Sequence, residues 1–152
     1  MLSFQNGELF ASGVMEYEFR GATDKDINAR IFLRIEIDGI PSIAAVDTGA
    51  PYLILAPVIA NRLSFDLTTS LDNVSINNRG DKFYGNLFRV DVLLPAFEGI
   101  SQQFQATVFV PNPDEEAKWG DRPTFLGMQS CLERVRFAID PSGNRFYFGS
   151  LP

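Results

Sequence analysis

The chain has 152 residues, 45% of them hydrophobic and 14 of them Phe, and 13 Lys plus Arg against 19 Asp plus Glu leave it a net charge of −6. That composition excludes a disordered chain; no uninterrupted apolar run is long enough to span a bilayer, and an acidic chain without a basic stripe is not expected to bind nucleic acid. The sequence contains no His, which removes Ser-His and Cys-His nucleophile pairs and His-containing zinc sites together, so acid–base chemistry near neutral pH falls to carboxylates.

A chain of this length buries about two thirds of its unfolded surface. It therefore needs no disulfide or metal staple, and without an internal repeat or a linker-like stretch it is expected to form one domain over residues 1–152. Met1 to Phe10 show neither a positive n-region nor an apolar h-region, from which we expect no secretory signal and a cytoplasmic setting. The lone Cys131 cannot pair internally, in keeping with a reducing compartment, and its neighbours Met128 and Leu132 suggest a buried small hydrophobe rather than a reactive thiol.

Met15, Tyr17 and Phe19 alternate with Glu16 and Glu18, the period of a half-buried strand, and Gly21 to Asn28 is a polar loop. Ile31, Leu33, Ile35 and Ile37 alternate in the same way, and Asp38-Gly39 predicts a tight hairpin into Pro41–Val46. After Tyr52–Leu55, Pro57 can begin a short helix over Ala56–Leu63, with Val58, Ile59 and Leu63 at helical spacing. Val74 and Ile76, the polar tip Asn77–Asp81 and the return Phe83–Leu94 form a second hairpin, long enough to project as a flap. Phe104–Val110 is a strand, and Pro111–Pro123 a long surface loop in which Asp114, Glu115 and Glu116 are solvated and Trp119 either anchors the loop or acts as a lid. Met128, Cys131, Leu132 and Val135 fall at helical spacing and predict a second short helix; Phe137–Phe148 is a closing hairpin turned at Pro141–Asn144. The sum is an all-β domain with two short helices.

The chemically informative segment is Ile43–Ala50, in which an apolar run ends in Asp47-Thr48-Gly49. A carboxylate at the end of a buried strand is costly unless hydrogen-bonded. A turn at Gly49 would let backbone N–H groups and the Thr48 hydroxyl converge on the loop that holds it. The motif is followed by an extended apolar stretch, the flap-like hairpin, and Phe125-Leu126-Gly127. In that order, over roughly residues 30–149, the chain resembles the retropepsin-like aspartic proteases, the cellular and bacterial members more than the viral enzymes.

The resemblance implies a single-lobe aspartic protease barrel in which Asp47 is the catalytic residue, Thr48, Gly49 and Ala50 support its loop, and Leu126 and Gly127 thread beside it. It places the flap tip at Asn78, Arg79 and Gly80, which lack the several glycines of retroviral flaps; Met128 and Gln129 stand where relatives carry Arg or Asp after the threading glycine. No metal or cofactor is implied. The chemistry needs two carboxyls sharing a proton, and one Asp-Thr-Gly supplies one. The expected partners are thus a second copy of the chain, in a two-fold homodimer, and a peptide or protein substrate. The alternative is a catalytically silent dimerisation or peptide-binding module on the same scaffold, or a β-barrel ligand binder in which Asp47 is a turn residue. Asp38 is taken as a hairpin residue, and Asp24 with Asp26 lack the rest of a calcium loop.

Overall fold

A computed structural model describes residues 1–152. Its larger sheet is built from β4 (Glu18–Arg20), β5 (Arg30–Ile37), β6 (Ile40–Val46), β7 (Leu53–Ile54), β8 (Asp72–Asn78), β9 (Asp81–Leu94), β11 (Gln102–Pro111) and β12 (Thr124–Leu126). In space they run β4-β5-β6-β12-β7-β11-β9-β8, and β5 pairs back onto β9 at Glu36–Leu93 and Ile37–Val92, closing the sheet into a barrel. A smaller sheet orders β10 (Glu98–Gly99), β3 (Gly13–Glu16), β14 (Arg145–Ser150) and β13 (Val135–Asp140) as β10-β3-β14-β13; β1 (Leu2–Ser3) and β2 (Leu9–Ala11) pair alone. Two short helices, α1 (Pro57–Leu63) and α2 (Glu116–Trp119), complete the all-β domain.

Turn chemistry sets the hairpins. Asp38 and Gly39 sit at φ 46° and 80°, and Arg79 and Gly80 at 49° and 84°, the mirror-image turn whose twist matches that of paired strands. Asp38 Oδ1 also accepts the Asp91 N–H at 2.8 Å, binding the first turn to β9. Pro57 opens α1, and Ser64 in the left-handed region at φ 53° ends it.

Part of the barrel wall is buried on both faces, which explains the apolar pairs Phe32-Leu33, Ala44-Ala45, Leu53-Ile54, Val108-Phe109 and Phe125-Leu126. Leu33, Ala44, Leu53, Val108 and Leu126 belong to the main core, while Phe32, Ala45, Ile54, Phe109 and Phe125, each one position away, belong to a second. Because successive side chains of a strand point to opposite faces, one wall serves both.

Four expectations need correction. The strand over residues 15–19 is broken at Tyr17, whose N–H donates to Asn144: β3 joins the small sheet, β4 joins the barrel, and Phe19 is exposed. Residues 111–123 are not merely a solvated loop. They contain a 3-10 turn at Pro113–Glu115 and α2, Glu115 is buried and ion-paired to Lys118 at 2.6 Å, and Trp119 is 1% exposed within the second core. The helix expected over Met128–Val135 is only a 3-10 turn at Leu132–Arg134. Ser130 at φ 54° breaks the helical path, and Val135 is already paired with Ser150 in β13. Cys131, Leu132 and Val135 share the main core without sharing a helix. Finally, Val58 of α1 points outward while Ile59 and Leu63 pack on the core.

Candidate active site

Asp47 is the first residue beyond β6, where the chain leaves the barrel wall. Its N–H donates to Leu126 at 3.0 Å and its carbonyl accepts the Ala50 N–H at 3.0 Å, so the turn is held at its entrance and its exit. The Gly49 N–H donates to Asp47 Oδ1 at 3.1 Å. A carboxylate oxygen accepting a backbone N–H two residues on is a local clamp that orients the side chain.

A threading strand supports this loop. β12 lies parallel to β6 (Leu126 opposite Val46) and antiparallel to β7 (Leu126 opposite Leu53), separating the two arms of the loop. Its ladder continues past its end: the Gly127 N–H donates to Tyr52 at 2.8 Å, the Met128 N–H to Ala50 at 2.8 Å, and the Tyr52 N–H to Gln129 at 2.9 Å. Gly127 is required by space. A Cβ there would lie 2.2 Å from the Tyr52 carbonyl and 2.7 Å from those of Ala50 and Pro51. Tyr52 itself sits at φ 57°, a conformation that costs a bulky residue about 1–3 kcal/mol and persists only where neighbours impose it.

The resulting carboxylate is half-buried, with 31% of its side chain exposed, and Arg30 Nη1 at the start of β5 stands 3.9 Å from Oδ2. The Thr48 hydroxyl, expected to help hold Asp47, makes no hydrogen bond within the chain, and Thr48 is exposed. The carboxylate is oriented by backbone, leaving that hydroxyl free. Ala50 packs against the second core beside Tyr52.

The β8–β9 hairpin reaches toward the same region. The Arg79 guanidinium at its tip lies 5.6 Å from the Phe125 ring centre and that of Arg30 lies 6.0 Å from it, so Phe125 has a cation from each side of the site. Asn78 is buried and Gly80 exposed. The hairpin is also tied to the α2 segment. Arg122 pairs with Asp81, the Lys118 ammonium donates to the Lys82 carbonyl, and Trp119 meets Phe83 edge-on at 5.0 Å and Phe125 at 6.3 Å.

Asp47, Thr48, Gly49, Ala50, Leu126 and Gly127 thus converge on one loop, with Arg79 nearby. Sequence reasoning missed Arg30, Arg122 and the buried role of Trp119. Arg30 lies 17 residues before Asp47 on a different strand, and no local spacing signals such a contact. Asp26 is a loop brace, its carboxylate accepting the Ala22 and Thr23 N–H groups. No cluster of three or more metal-ligating side chains forms, and no helix is long and apolar enough to cross a membrane.

No family model and no curated protein matches the chain. Among solved structures it is similar to a retropepsin-like aspartic protease from Rickettsia conorii, with TM-score 0.53 and 22% identity over 89% of this chain and 90% of that one. It also aligns with the retroviral protease-like domain of Ddi1 from Leishmania major, with TM-score 0.47 and 18% identity over 81% of this chain and 94% of that one. The first likeness shows that the chain has the retropepsin-like fold, the single-lobe barrel expected from its motif order.

Proposed function

We propose that this chain is one subunit of an aspartic endopeptidase, and that its active site forms where two copies bring their Asp47 residues together across a two-fold axis. The observation that carries the reading is the Asp47 loop itself. A half-exposed carboxylate is clamped by the Gly49 N–H on a turn that β12 supports from behind. Such rigidity suits a carboxyl that must hold one geometry through a reaction. The unbonded, exposed Thr48 hydroxyl suits the interlocking of two such loops.

In the dimer the two carboxyls share one proton, because like charges about 3 Å apart cannot both ionise. The ionised carboxylate takes a proton from a bound water as its oxygen adds to the peptide carbonyl carbon. The protonated carboxyl gives its proton to the carbonyl oxygen, producing a tetrahedral diol with no bond to the protein. As the C–N bond breaks, the carboxyl that took the water's proton gives it to the departing nitrogen, and a diol hydroxyl gives its proton to the other carboxylate, so that the dyad again holds one proton. The β8–β9 hairpin, with Asn78, Arg79 and Gly80 at its tip, serves as the flap, and an extended substrate pairs between it and the body. No metal or cofactor takes part.

Cleavage of a peptide library, read by mass spectrometry from about pH 4 to 7 at several protein concentrations, tests the proposal. Cleavage that vanishes in Asp47→Asn and falls steeply on dilution is expected. A dimer that binds peptides but leaves them intact would shift the reading to a silent binding module, and full activity in a strict monomer would exclude the shared site.

A further inference from the structure

Beside the first half of β6 lies a cavity of about 540 Å³ that none of Asp47, Thr48, Gly49 and Ala50 lines. β6 pairs with β12 only from Ala44 to Val46. Ile40–Ser42 therefore have no strand partner on that side, and Arg122 and Pro123, just before β12, line the gap. The cavity occupies this gap, walled by Ile43, Val58 and Ile59 and rimmed by the arginines Arg34, Arg62 and Arg122, with no acidic residue in its lining. In a chain of net charge −6, what sets this rim apart is one cation without an acidic partner, Arg62.

The three arginines are not equivalent. Arg34 is engaged by Glu18 at 2.6 Å and Arg122 by Asp81, whereas Arg62, exposed in the last turn of α1, has no acidic partner within 4.0 Å. The Ser42 hydroxyl in the cavity wall is buried, the residue being 7% exposed, and has no hydrogen-bond partner. A buried hydroxyl left without a partner costs free energy that a ligand can recover.

We infer that this groove binds an extended acidic peptide segment, a site separate from the one at Asp47. On its open side this edge offers two backbone groups, the Pro41 carbonyl and the Ile43 N–H, because Pro41 has no N–H of its own; a short extended segment can pair with both. An apolar side chain of that segment lies against Ile43 and Val58, and its adjacent carboxylate meets Arg62 in a charge-assisted hydrogen bond. For a peptidase, such a site holds a substrate outside the cleft.

The test is a titration of the ¹⁵N-labelled Asp47→Asn chain, on which the peptide survives whether or not the wild-type chain cleaves it. The probe is a blocked hexapeptide alternating leucine with glutamate, compared with its glutamine counterpart. Shifts centred on the amides of Ser42, Ile43, Val58 and Arg62 are expected, with the glutamine peptide bound at least about tenfold more weakly. Arg62→Glu, at an exposed position that leaves the remaining spectrum in place, removes binding of the acidic peptide. Shifts centred on Thr48–Ala50, equal binding of both peptides, binding unaffected by Arg62→Glu, or no binding at millimolar peptide would each overturn the inference.

Discussion

At Asp47 the useful property is orientation, and its source is a single backbone N–H from Gly49. An asparagine keeps an oxygen acceptor for that N–H, so Asp47→Asn should change unfolding free energy by less than about 0.5 kcal/mol while lowering peptide cleavage at least about a hundredfold; chemical denaturation and a peptide assay on the same sample read both. Gly127 is the opposite kind of residue, valued for a missing side chain. With a Cβ placed 2.2 Å from the Tyr52 carbonyl, Gly127→Ala must displace backbone, and we expect a loss of at least about 1–3 kcal/mol in thermal unfolding. Cys131 offers a pH-dependent readout. Burial pushes its thiol up from 9.0 to about 12, so the unfolded chain ionises there first and the stability fully present below about pH 9 is lost as pH rises toward 12. Between those limits the wild-type chain should lose up to about 1.4 kcal/mol per pH unit more than Cys131→Ala, as measured by urea midpoints at each pH.

Among the elements, the β8–β9 hairpin and the α2 segment behave as a pair. The hairpin tip is joined to residues 118–122 by Arg122–Asp81, by the Lys118 ammonium on the Lys82 carbonyl, and by Trp119 against Phe83. In the proposed enzyme this hairpin is the flap and lifts to admit a substrate, and the contacts that resist lifting sit in a segment whose composition is polar and loop-like. Arg122→Ala removes the ion pair and the two bonds that Arg122 donates to the Lys118 and Trp119 carbonyls. It should speed amide exchange at residues 78–82 several-fold, leaving β5–β6 amides unchanged by hydrogen-exchange mass spectrometry. Trp119→Ala empties a large volume from the second core and should cost about 3–5 kcal/mol, far beyond what a loop tryptophan would.

At the scale of the whole molecule, one chain presents one clamped Asp47, and the proposed chemistry belongs to a pair. If subunits exchange, adding an equal amount of Asp47→Asn chain to the wild-type chain should leave about half the activity of the wild-type chain alone, and an excess should leave almost none, because mixed dimers hold one aspartate. Undiminished activity in that titration would place the whole site within one subunit. The hairpins at Asp38-Gly39 and Arg79-Gly80, α1 after Pro57 and the motifs at Asp47 and Gly127 were legible in sequence because each rests on local chemistry: a positive-φ turn, a helix-starting proline, or a fixed order of segments. The helical spacing of Met128, Cys131, Leu132 and Val135 misled for the complementary reason. Apolar spacing records which residues meet the core, and a turn at Ser130 can pack the same four against it without a helix. Only the tertiary structure decided that Arg30 meets Asp47, that Trp119 fills a second core, and that the first half of β6 lacks a second strand neighbour near Arg62. These contacts join residues far apart in the chain, and their energies depend on how the closed barrel brings distant strands together, which no local pattern encodes.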